Sequence, residues 1–157
     1  MRKLIEVEHA KALMTEAMNW SVVKWLSEKK RVRKTADLAN AALDRLDQEI
    51  KTHWSDEMKA AYSELGAKSE GAGGRPHKQP SESIDPQIAL LAKRVKEADD
   101  EAYRVRMDAE DTFDAAEKQL STRLAREGCR KAIDSWDLHE QAIRKSEAVM
   151  GATKESI

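Results

Sequence analysis

The chain has little of several things that would narrow its function. It holds one cysteine, Cys129. No internal disulfide can form, and no zinc set of paired cysteines exists. Aromatics are 4% of the residues and proline occurs three times. Alternating apolar stretches are missing and β-branched runs are few, which leaves little room for a sheet. No apolar run approaches the roughly 20 residues of a membrane-spanning helix. Met1-Arg2-Lys3 is basic, but Glu6 and Glu8 interrupt the next stretch, so no signal peptide is expected. Gly71-Ala72-Gly73-Gly74 follows no strand and precedes no Lys-Ser/Thr, so it is not a nucleotide loop. With one thiol and no targeting segment, the expected compartment is the cytoplasm.

The chain is rich in charge and alanine. Charged residues make up 36% of the 157, and there are 23 alanines. Such a mixture favours long helices packed in the manner of coiled coils. Residues 3–33 read as a first helix, with Leu4, Val7, Met14, Met18, Val22, Trp25 and Val32 on one stripe. Leu13, Ala17 and Trp20 form a second, partial stripe. Two apolar sides imply more than one neighbour. Thr35 reads as the N-cap of a second helix, whose stripe runs from Leu43 through Leu46, Ile50, Trp54, Met58 and Ala61 to Leu65, with Gly66 as its stop. Residues 1–34 carry nine basic and four acidic side chains, and residues 35–66 three and seven. Opposite charge and a short connection make residues 1–66 an expected helical hairpin.

Residues 67–84 lose apolar periodicity and gather Gly, Pro and Ser, the composition of a flexible linker. Asp85-Pro86 is a strong helix start. Beyond it Ile88, Leu91, Val95, Ala98, Ala102, Val105, Ala109, Thr112 and Ala116 keep strict 3-4 spacing, a sustained heptad. A break or kink is expected near Gly128 within the C-terminal segment 85–157. The fold class is therefore all-α: two helical hairpins packed as an antiparallel bundle or an elongated coiled coil.

Four sets of residues invite a functional reading. Lys29, Lys30, Arg31, Arg33 and Lys34 form a basic run after Trp20 and Trp25, suited to phosphates or an anionic surface. The plainer reading gives these cations to the helix C-terminus and to acidic neighbours, and the tryptophans to the core. Glu6 and His9 make one Glu-x-x-His pair, and His53 and Glu57 share a helical face. A hairpin folded about residue 34 would gather all four, as in di-iron bundles. That class needs two such motifs and further glutamates, and the ligand set here is incomplete. Cys129 has basic neighbours but no histidine at a useful spacing, which points to an inert thiol. Asp99, Asp100, Glu101, Asp108, Glu110, Asp111 and Asp114 interleave with Lys and Arg as on a solvated helix face.

These features lead to an expected non-enzymatic protein–protein interaction or structural module with no cofactor. Its partner is a second copy, as a dimer through the heptad face of 88–116, or another helical protein. A metal-binding bundle is the alternative, and an anionic-surface or nucleic-acid binder through Lys29–Lys34 the second. Nucleic acid is not the expected partner of a chain with a pI near 6.5.

Overall fold

The structure is a computed structural model that describes residues 4–70, 85–119 and 122–155. Five helices account for nearly all of them: α1 (Ile5–Ala17), α2 (Val22–Thr52), α3 (Asp56–Glu70), α4 (Pro86–Gln119) and α5 (Thr122–Glu155). Among the described residues there is no strand. The all-α bundle expected from composition and heptad spacing is the architecture observed.

The breaks fall where serine, not threonine, caps. After Ala17 the chain tightens, with Asn19 and Trp20 donating to the carbonyls three residues back. Ser21 then turns extended, and its Oγ accepts from the Lys24 amide at 3.3 Å. The same pattern recurs at 53–55. His53 and Trp54 donate to carbonyls three residues back, and Ser55 Oγ accepts from the Met58 amide at 3.2 Å. Both breaks carry a Trp-Ser pair whose indole folds into the core while the serine starts the next helix. Thr35, the expected cap, instead donates its hydroxyl to the Arg31 carbonyl at 2.8 Å, a bond made inside a continuing helix. The turn expected near residue 34 is therefore absent, and α2 runs unbroken through it. Gly66 does not end α3, which continues to Glu70. The rest of the expected linker, 71–84, lies outside the described residues.

Asp85 caps α4 as its sequence implies, accepting from the Gln87 amide at 2.9 Å. α4 and α5 have 34 residues each, about 51 Å at 1.5 Å per residue, and share the most extensive interface in the molecule. Small residues let them approach: Ala92, Ala102, Ala109 and Ala116 on α4, and Ala125, Gly128, Ser135 and Ala142 on α5. α5 passes through Gly128 without interruption, so the break expected there is not found. A Cβ at that position would stand 3.0 Å from Phe113 Cα. Gly128 is thus a point of close helix approach, not a stop. The heptad face of α4 is covered by α5 within one chain. Val95, Ala102, Ala109 and Ala116 are all buried there.

α2 lies antiparallel to α4, as the ion pairs Lys29–Glu117 and Arg106–Asp44 set their register. α1 packs on α2 and α5 at one end of the bundle, and α3 packs on α4 at the other. The core divides accordingly. A larger cluster centres on Met14, Trp25, Leu43, Phe113, Cys129 and Trp136, and a smaller one on Trp54, Met58, Ala92, Val95 and Val149.

Candidate functional site

The seam between α2 and α4 is where polar chemistry collects. The two helices meet through side chains, and charged groups bridge the gap. Lys29 pairs with Glu117 at 3.4 Å, Arg33 with Asp114 and Glu117, and Arg106 with Asp44 at 2.9 Å. At the far end Lys51 Nζ stands 2.9 Å from both Asp47 and Asp99. The Tyr62 hydroxyl donates to Asp99 Oδ2 at 2.7 Å, and Lys51 donates to that hydroxyl at 3.3 Å. Lys51 also lies over the Tyr62 ring, 4.7 Å from its centroid.

Beneath the bridges lies a cavity of about 130 Å³, floored by Ala109, Phe113, Ala132, Ser135 and Trp136 and rimmed by Arg33, Asp37, Asn40 and Arg106. Trp136 Nε1 donates to Asn40 Oδ1 at 2.7 Å, which fixes the ring against α2. This space admits a few waters or a small polar molecule. Its two guanidiniums are already matched by carboxylates, so neither stands free for an anionic ligand.

The ionisable groups of the seam are tuned by these contacts. Burial alone would lower the Lys51 pKa, but hydrogen bonds and charge from Asp47 and Asp99 outweigh it and hold the ammonium well above its ordinary value. Burial and the Asp99 carboxylate push the Tyr62 phenol up to about 12. His139 is lowered by burial, with the Arg106 charge adding to it, against the opposing carboxylates Asp47, Asp99 and Asp44. Within the described residues, His139 Nε2, Arg106 Nε, Asp47 Oδ1 and Asp99 Oδ1 make no hydrogen bond.

The residues singled out from the sequence fall apart or are absorbed. Glu6 and His9 sit exposed on α1. His53 lies just past the C-terminal end of α2. Glu57 Oε1 accepts from the Asp85 amide at 2.7 Å, tying the start of α3 to the start of α4. The four are not brought together, because the reversal at residue 34 that would gather them is absent. Among the described residues, no three His, Cys, Asp or Glu side chains are grouped to hold a metal.

Of the basic run, Lys29 and Arg33 are drawn into the α2–α4 seam and Arg31 pairs with Glu28 at 2.6 Å. Lys30 and Lys34 are exposed. The run is therefore not one continuous cationic strip. Trp20 and Trp25 are buried, with Trp25 edge-on to Phe113 at 5.5 Å between centroids. Cys129 is buried, and burial pushes its thiol up to about 12, which removes it as a nucleophile near neutral pH. The acidic residues of α4 split. Asp99, Asp108 and Asp114 bind cations on other helices, while Asp100 and Glu101 pair along α4 itself. Sequence reasoning missed the Asp47–Lys51–Asp99–Tyr62 cluster. Its one local signal was the i,i+4 spacing of Asp47 and Lys51.

No family model matches the chain, and neither a curated protein nor a solved structure matches it.

Proposed function

We propose that this chain is a non-enzymatic helical module that works by binding other helices, its first partner being a second copy of itself. The observation that carries this reading is an open groove between α4 and α5. It has a volume of about 650 Å³ and is lined by Leu91, Val95, Ala98, Ala148 and Val149. The groove opens at the edge of the α4 heptad face, where Leu91 and Ala98 stay only partly buried beside the covered Val95. Arg94, Lys145 and Glu97 rim it, so a two-fold partner can set basic rim against acidic rim. The remaining polar groups support a structural role, since the seam ion pairs hold helices together and Cys129 is inert. A lone buried thiol suits a reducing compartment, and the proposal places the protein in the cytoplasm. Among the described residues no helix is long and apolar enough to cross a membrane.

Light scattering during size exclusion tests this. The expected result is a mass above 17.7 kDa at micromolar concentration. Ala98→Glu and Ala148→Glu, each placing charge in the groove, are expected to return the protein to that monomer mass. A monomer at every concentration, or an oligomer indifferent to both substitutions, overturns the proposal.

A further inference from the structure

One end of the bundle differs from the rest of its surface. Here α1 ends, α2 begins, α4 ends and α5 begins. The pairs Lys29–Glu117 and Arg33–Asp114 set the α2–α4 register, so the first turn of α2 lies level with the start of α5. The Arg126 guanidinium donates to the Trp20 carbonyl at 3.3 Å, which joins the two starts directly.

Three aliphatic side chains stand out from this end: Val23 at 78% exposure, Val22 at 41% and Leu26 at 37%. They do not continue the core, because the neighbouring Trp20 and Trp25 turn inward and fill it. Around them lies a surplus of positive charge. Residues 14–31 and 114–130 hold eight Lys and Arg against five Asp and Glu. Each of the five acids already has a cation within 4.0 Å: Glu16 with Lys24, Glu28 with Arg31, Asp114 with Arg33, Glu117 with Lys29, and Glu127 with Lys131. Among the described residues Lys30, Lys118, Arg123, Arg126 and Arg130 form no ion pair. Arg123, Arg126 and Arg130 recur at spacings of three and four, on one exposed face of α5 beside the start of α2.

We propose that this end of the bundle docks on an anionic lipid bilayer, with Val22, Val23 and Leu26 entering the headgroup region and the surrounding cations resting on acidic headgroups. Charge complementarity and the projecting apolar tip together select this occupant. A nucleic acid or an acidic polypeptide would use the cations and leave the aliphatics idle. A bilayer interface uses both, apolar area giving depth and Lys and Arg giving attraction within a screening length of the surface. The contact is peripheral, made by the tip of a folded bundle and not by a spanning helix. It is independent of the α4–α5 groove, which lies toward the other end of the molecule.

The test is flotation of the full chain with two vesicle types, phosphatidylcholine alone and phosphatidylcholine with phosphatidylserine. The expected result is capture by the serine-containing vesicles only, weakening as salt rises. Arg123→Ala and Arg130→Ala are each expected to weaken partitioning about fivefold, the contribution of one cation near such a surface. Val23→Asp is expected to abolish it while leaving the helix intact, since an acid in the first turn of α2 suits the helix dipole. Retained circular dichroism and melting temperature separate that loss from unfolding. No capture at low salt overturns the proposal, as does equal capture by both vesicle types. So does capture unchanged by Val23→Asp, or equally tight binding to duplex DNA or polyglutamate, which would mean charge alone.

Discussion

Alanine substituted at two helical glycines gives effects of opposite sign. Glycine inside a helix costs about 0.8–1.0 kcal/mol relative to alanine. Around Gly66 in α3, an added Cβ meets nothing within 4 Å, so Gly66→Ala should recover about that much stability. Around Gly128 in α5, the same atom would stand 3.0 Å from Phe113 Cα, 3.2 Å from its amide nitrogen and 3.4 Å from its Cβ. Carbon atoms rest at about 3.5–4.0 Å, so α4 and α5 would have to part locally by roughly half an ångström or more. Two of the three atoms belong to the backbone of α4, which no rotamer change can move. Overpacking of this kind costs about 1–3 kcal/mol. Set against the propensity gain, Gly128→Ala should be neutral to destabilising by about 2 kcal/mol, and the two variants should differ by about 1–3 kcal/mol. Urea titrations of wild type and both variants measure this, provided the slope of the transition is unchanged. Equal stabilisation by both substitutions would mean that α4 and α5 do not touch at Gly128, and the close α4–α5 hairpin would be wrong.

The packing sets three further outcomes. Ala102 is fully buried between α4 and its neighbours, so Ala102→Asp should cost about 3 kcal/mol or more as an unpaired buried charge, and an unchanged melting temperature would place that face in water. The His139 pKa is held below its ordinary 6.5, so the folded protein binds fewer protons than the unfolded chain. Stability from this group is complete above the unfolded value and falls as pH drops through it, so the urea midpoint of wild type should decline between pH 7.5 and 5.5 more than that of His139→Gln. An equal decline would remove His139 as the cause. Cys129 should resist an aromatic disulfide reagent at pH 8 until the protein is unfolded, and rapid stoichiometric labelling of the native state would contradict its burial.

Much of this fold was legible where local chemistry and global packing agree. Asp85-Pro86 starts α4 because the aspartate accepts from an orphan amide and a first-turn proline has no amide hydrogen left to satisfy. Within the heptad, Val95, Ala102, Ala109 and Ala116 are buried because small residues at this spacing leave one route for a neighbouring helix. The misplaced boundaries share a cause. Thr35 and Ser21 carry the same hydroxyl, and only the surrounding backbone decides whether it caps the next helix or bonds back four residues. Gly128 reads as a helix stop from propensity, whereas its use, the close passage of Phe113, is a tertiary fact. The candidate site was less accessible for the same reason. Lys51 meets Asp99, and Arg33 meets Asp114, only once α2 runs unbroken against α4. A chain reversal at residue 34 gathers Glu6, His9, His53 and Glu57 instead.

The central functional claim is that two copies meet through the α4–α5 groove. A single spin label tests it most directly. With Cys129→Ala removing the native thiol, Arg144→Cys puts one label on an exposed α5 position next to Lys145 on the groove rim. Any dipolar distance measured from a singly labelled chain is intermolecular. The expected result is one defined short distance at micromolar concentration, abolished by Ala98→Glu or diluted away by excess unlabelled protein. A featureless decay with no distance would contradict the claim.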